Sequence, residues 1–282
     1  MNLTLPHYKS VTGGWTGAAL NVVTVLGVLF LLLPIVVVLV ISFSADPYLR
    51  FPPSGFSLRW YRNFFFEDPT WLAAAGRSFV VATATAVLSL ALGTAAAMPL
   101  ARHRFPGKGG IEALLLAPLI VSPMITAIAL YGLFSTVKLV GTTAALVLSH
   151  AILALPYAVM NVSVSARALD ERLELAARGL GAGPATVFRR VTLPLLLPGI
   201  LAGALFAFLA SFDEVVVALF LSGLEPTLQK RMWDDIRLEI SPTVAAASTL
   251  LVAISVLCFV GGALAASAAD RRARAPARAA AP

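Results

Sequence analysis

Six runs of apolar residues, at 18–43, 72–100, 111–135, 142–164, 195–221 and 243–268, constrain this chain more than any other feature. A bilayer-crossing helix needs about 20 mostly apolar residues, and its backbone must be hydrogen-bonded internally because the hydrocarbon offers no water. Each run meets that length, so the expected fold is all-α and integral to a membrane, with six transmembrane helices. Of the 282 residues 59% are hydrophobic and 12% charged, and the spans leave little chain for a soluble domain. The expected layout is a tail at 1–17, a membrane domain at 18–268 and a basic tail at 269–282, itself expected to be disordered from Asp270 on. The apolar core of a secretory signal is about 7–15 residues long, so the first run is read as a retained span.

Charge sets the orientation. With the N-terminus inside, the inner segments hold thirteen Lys and Arg against seven outside, with Arg77 at a span edge. Both termini are therefore expected in the cytoplasm. The net charge of +7 flanks the spans rather than interleaving with aromatics in a polar domain, which argues against a nucleic-acid partner. The single cysteine, Cys258, excludes an intramolecular disulfide and a cysteine-rich metal site. Gly107-Lys108 is followed by Gly109, so the phosphate-cradling GxxxxGK[ST] loop is missing.

Polar and helix-breaking residues mark individual spans. The second is rich in Ala, Ser, Thr and Gly, which let helices approach closely in lipid, and is expected inside the bundle. The third carries Pro118 and Pro123, compatible equally with a pathway-lining helix and with kinked packing. In the fourth, His150 is read as a packing residue rather than a proton relay. Outside, the aromatic cluster Trp60, Tyr61 and Phe64 to Phe66 is expected to lie on the membrane or against the bundle.

Between the fourth and fifth spans, Leu169, Leu173, Ala176 and Leu180 fall on one stripe of a helix. Gly179, Gly181 and Gly183 then stop it, and Pro184 suits the first position of a second helix. This stretch, 167–193, resembles the EAA loop of ABC-importer permeases, where Glu-Ala-Ala is followed by a glycine four residues later and then by a Leu-Pro signature. Ala176, Ala177, Gly181, Phe188, Val191, Leu193, Pro194 and Pro198 stand at matching positions. Leu175 occupies the place of the family's glutamate, and Glu174 lies one residue before it. The resemblance implies a type I, MetI-like permease in the bacterial inner membrane whose loop seats on a cytoplasmic ATPase. Glu174, Leu175, Ala176, Ala177, Gly181, Phe188, Leu193 and Pro194 are its expected coupling residues. A second permease, two copies of the ATPase and an extracytoplasmic binding protein are the implied partners. ATP and Mg would be used by the ATPase, and no cofactor is expected on this chain.

In the fifth span Asp213 and Glu214 stand between apolar residues, and an acid at a span centre costs about 2.5–3.5 kcal/mol to insert. Counting a straight helix from Leu195 places Asp213 about 27 Å up, nearer the outer mouth than the midplane. Successive residues diverge by about 100°, so the two cannot both face one pore unless the helix breaks. The surrounding SFDEVVVALFLSG segment is similar to the second permease subunit of spermidine/putrescine-type importers, which implies a polyamine cargo; permeases for opines, phosphonates and other small solutes share much of the pattern. By the same resemblance the outer loop 222–241, with Trp233, Asp234 and Asp235, would dock the binding protein. An ion-coupled secondary transporter is the first alternative, but no convincing internal repeat supports it. An intramembrane hydrolase would need a catalytic pair brought together, which Ser149-His150 and Asp213-Glu214 do not establish.

Overall fold

The computed structural model describes residues 15–238 and 241–279. Most of the expected N-terminal tail, residues 239 and 240 of the outer loop, and 280–282 of the C-terminal tail lie outside the described residues. Among the described residues five helices are long and apolar enough to cross a bilayer, and a sharply bent pair makes a sixth.

The first span, α1 (Trp15–Ser42), is exposed from Ala18 to Val36 and becomes covered towards its end, where Ser42 is buried. Outside it, a short helix α2 (Arg59–Arg62) runs into a π-turn at Asn63–Glu67. The aromatic cluster divides there: Trp60 and Phe64 are buried while Phe66 is 83% exposed. Phe64 and Trp71 pack with Leu228, Val244 and Ala247, so this segment lies against the bundle. Helix α3 (Pro69–Arg102) begins at Asp68, whose carboxylate accepts the Thr70 N–H at 3.0 Å, with Pro69 pre-set for the first turn.

The third apolar run is not one helix. Instead α4 (Lys108–Leu116) and a 3₁₀ turn at Ala117–Leu119 are followed, after a 100° bend, by α5 (Pro123–Thr136). Pro118 and Pro123 bracket the bend, each lacking the N–H that a continuous helix would use. Helix α6 (Thr143–Ala168) comes next, capped by the Thr142 hydroxyl on the Ala145 N–H at 3.1 Å.

Two short helices, α7 (Glu171–Gly179) and α8 (Pro184–Val187), precede a π-turn at Phe188–Thr192 and the long α9 (Leu193–Phe212). The fifth run then breaks at 213–215 before α10 (Val216–Leu221). Outside the bundle lies α11 (Leu228–Leu238), and α12 (Thr243–Ala279) closes the chain. Expected disorder from residue 270 is corrected: the backbone stays helical to Ala279, as its Ala- and Arg-rich composition favours.

Helices α3, α6 and α9 form the centre. A side chain on Gly93 would bring its Cβ to 2.7 Å from the Ala158 Cβ, and Gly203 approaches the Ala158 backbone similarly. Close approach through small residues replaces the hydrophobic drive that lipid cannot supply. Gly93→Val is expected to lower the melting temperature of the detergent-solubilised protein by about 5 °C, the scale of overpacking a tight contact; an unchanged melting curve would show that the helices can separate freely there.

Candidate functional site

The break between α9 and α10 organises the first site. Phe212 is the last residue of α9, and Asp213, at φ −95° and ψ 2°, leaves the helix. Glu214 turns back to accept the Val217 N–H at 3.0 Å, satisfying one of the donors at the start of α10. With the helix interrupted, both acids line one cavity of about 460 Å³. Pro118 and Pro123 of the bent third run line it from one side, Tyr157 of α6 and Phe206 of α9 from another. The straight-helix height count from Leu195 runs along unbroken α9 as far as its C-cap, Asp213, and does not extend across the break at 213–215.

Among the described residues no Lys or Arg pairs with either acid. Unpaired carboxylates in a concave site beside two aromatic faces suit an organic cation, whose charge both groups attract. Tyr157 and Phe206 were not singled out from the sequence; Tyr157 directly follows Pro156 within an otherwise ordinary apolar span, with nothing in the pattern to separate it. His150, by contrast, lies fully inside the bundle with Nδ1 2.8 Å from the Ser211 Oγ, joining α6 to α9.

The second site is α7. Asp170 caps it by accepting the Arg172 N–H at 2.9 Å. Its end is a Schellman turn: the Ala182 N–H reaches the Ala177 carbonyl at 3.1 Å, the Gly181 N–H reaches Arg178 at 2.9 Å, and Gly181 has φ +84°. That left-handed conformation is the reason for glycine at 181.

Periodicity identifies the helix but not its sense. The polar Glu174 faces the chain's own bundle, where the Arg102 Nη1 donates to both of its oxygens at 2.9 Å and the Thr192 hydroxyl donates to Oε1. The apolar residues face away: Leu173 is 48% exposed, Leu175 63%, Leu180 90% and Phe188 42%. Ala176 and Gly181 are exposed with them, Ala177 is half-buried, and Leu193 and Pro194 start α9. Leu173 and Leu175 diverge by about 200° around α7 and so flank Glu174 on its two sides, leaving exposed apolar side chains of the kind that partner surfaces cover. Glu174 therefore ties α7 to Arg102 at the end of α3 and to Thr192 at the start of α9, two partners that no sequence pattern marks for this role.

Burial would push the Glu174 carboxyl up, but the Thr192 and Arg102 hydrogen bonds outweigh it and hold the group below the ordinary glutamate value. A carboxyl lowered on folding stabilises the protein above its unfolded value, near 4.5, and that contribution is lost as pH falls through the folded value. At pH 7 Glu174→Gln is expected to lower the melting temperature by about 2–4 °C, the equivalent of about 1 kcal/mol once solvent screening is allowed for. The difference from wild type should shrink below pH 4.5; one that stays constant down to pH 3 would contradict the pairing.

The third site is α11, which meets α3 at its first residues, the end opposite the one that α7 meets. Trp233 is 38% exposed, with the Arg237 guanidinium 4.8 Å from its ring. Asp234 is half-buried. Asp235 is drawn towards Arg231 at 3.3 Å, and Arg231 also bonds Asp68 at 3.3 Å, fastening α11 to the start of α3. Of the three residues singled out there, Trp233 presents the most open face.

Residues 89–274 match the family described as the binding-protein-dependent transport system inner membrane component. The chain is 33% identical over 262 residues to the putrescine transport system permease protein PotI of Escherichia coli (strain K12), covering 90% of this chain and 92% of that protein. It is 32% identical over 232 residues to the spermidine/putrescine transport system permease protein PotC of Haemophilus influenzae, covering 82% and 90%. The molybdenum transport system permease protein ModB of Mycobacterium bovis is 35% identical over 199 residues, covering 65% and 75%. In structure the chain is similar to a bacterial ABC transporter involved in the import of the acidic polysaccharide alginate, with a TM-score of 0.67, 15% identity, and coverage of 92% and 98%.

Proposed function

Because the chain belongs to the family of binding-protein-dependent transport system inner membrane components, we propose that it is the polyamine-conducting permease subunit of an ATP-driven importer. As a multi-pass inner-membrane permease it is not itself an enzyme. Its partners in this reading are a second permease, two copies of an ATPase that uses ATP and Mg, and an extracytoplasmic binding protein, with both termini in the cytoplasm. ATP hydrolysis moves the ATPase, the apolar face of α7 follows it, and the bond set around Glu174 carries that movement to α3 and α9. Access to the cavity then alternates between the two sides of the membrane.

The observation that carries the cargo is the pair of acids without cationic partners, facing one cavity with Tyr157 and Phe206. A permease resembling this one in sequence carries molybdenum, so identity alone does not select a cation. The carboxylates do: they repel an oxyanion and provide acceptors for ammonium groups leaving water. The test is the ATPase rate of the assembled complex with its binding protein and either putrescine, spermidine or molybdate. Stimulation by one or both polyamines and none by molybdate is expected; stimulation by molybdate alone would overturn the polyamine reading while leaving the permease role intact.

A further inference from the structure

We propose that Gln229 is a positioning residue that transmits the seating of the binding protein on α11 to the acid-bearing break of α9, an inference that rests on the docking and pathway roles given above. The last carbonyls of a helix have no partner within it. In α9 the Phe212 carbonyl, next to Asp213, is taken by the Nε2 of Gln229 from the second position of α11. On its other side the Gln229 amide oxygen accepts the Ser78 hydroxyl at 3.1 Å, and the Ser78 oxygen accepts the Leu228 N–H at 2.8 Å.

This set is closed. The Phe212 carbonyl can only accept, so the Gln229 N–H₂ must face it; that turns Oε1 towards Ser78, whose hydroxyl donates to it while its oxygen accepts the Leu228 N–H. All four residues are buried, Gln229 at 7% exposure and the other three at 3% or less. When α11 shifts, either the Phe212 carbonyl follows it or a buried amide and a buried carbonyl lose their partners, and the second outcome is the costlier. Docking contacts on Trp233 thus bear on the residue that precedes Asp213. Arg231, which bonds Asp68, holds α11 to the start of α3.

The experiment uses the complete complex in nanodiscs, titrated with the binding protein loaded with putrescine, and reads two quantities: the half-saturating concentration and the ratio of stimulated to unstimulated ATPase rate. Gln229→Met keeps the length but cannot donate. It is expected to leave the half-saturating concentration within about twofold and to reduce the ratio at least fivefold. Ser78→Ala, which frees one end of the amide without altering its donor, should reduce the ratio about twofold to threefold and serves if Gln229→Met does not assemble. Trp233→Ala should instead raise the half-saturating concentration about tenfold. A full ratio in assembled Gln229→Met or Ser78→Ala, alongside the expected Trp233→Ala shift, overturns the transmission role alone. If both rates fall in proportion, Gln229 is only structural and the proposal is also overturned. An unchanged half-saturating concentration in Trp233→Ala overturns the docking reading beneath it.

Discussion

Converting Asp213→Asn and Glu214→Gln together is expected to cut putrescine uptake by the reconstituted complex about a hundredfold. Each lost charge is worth roughly tenfold, or about 1.4 kcal/mol. Both substitutions keep size and shape, and the Gln amide oxygen can still accept the Val217 N–H, so the helix break that Glu214 supports is retained. What changes is the electrostatic character of the cavity. A dication stripped of water then meets amide dipoles and the rings of Tyr157 and Phe206 without a compensating carboxylate. The single variants should each lose about tenfold. Uptake measured with radiolabelled putrescine checks this, and a double variant that transports at the wild-type rate would remove the acids from the pathway.

A charge placed on the coupling face should have the other large effect. Leu175→Asp is expected to reduce ATP-driven uptake at least thirtyfold, because central contact residues are worth about 2–4 kcal/mol and an unpaired carboxylate in a desolvated patch adds to the loss. Leu175 is 63% exposed and edges a cavity shared with Met98, Pro99 and Arg102, so the melting temperature of the isolated subunit should move little. Co-purification of the ATPase with tagged permease separates the two causes: retained ATPase with lost uptake places the defect in transmission, and lost ATPase places it in docking. Wild-type uptake in this variant would mean that Leu175 is not part of the ATPase contact.

The residues differ in how openly they declare these roles. Spans one, two, four and six are legible because length and apolarity suffice to define a membrane helix, and the small residues of α3 announce close packing. Hydropathy cannot separate a straight span from two helices meeting at 100°, so the third run reads as one element although Pro118 and Pro123 mark its bend. For Asp213 and Glu214 the sequence states the condition, that both face one pore only across a break, and the structure supplies the break after Phe212. Of the expected stripe Leu169, Leu173, Ala176 and Leu180, only Leu173 and Ala176 lie within α7; Leu169 caps the end of α6, Leu180 caps the end of α7, and Leu173, Ala176 and Leu180 are exposed. Burial by periodicity presumes that a chain covers its own apolar face, which a subunit of a larger assembly does not do. Gln229 has no sequence signal, since its meaning arises from a carbonyl seventeen residues earlier and a hydroxyl on another helix.

These placements share one physical theme. Polar contacts hold α9 at both of its ends: Thr192, just before its first residue, bonds Glu174 of α7, while Ser211 bonds His150 of α6 and the Phe212 carbonyl bonds Gln229 of α11. In the proposed mechanism α9 is therefore the element that both ends of the bundle act on.

The central claim is that movement of a partner ATPase drives solute through this chain. Proteoliposomes carrying both permeases and the ATPase, with the binding protein and radiolabelled putrescine outside and nucleotide inside, test it directly. Accumulation that requires ATP and Mg, and that disappears when ATP is replaced by a non-hydrolysable analogue, is the expected result; equal accumulation without nucleotide, driven by an ion gradient alone, would contradict the account.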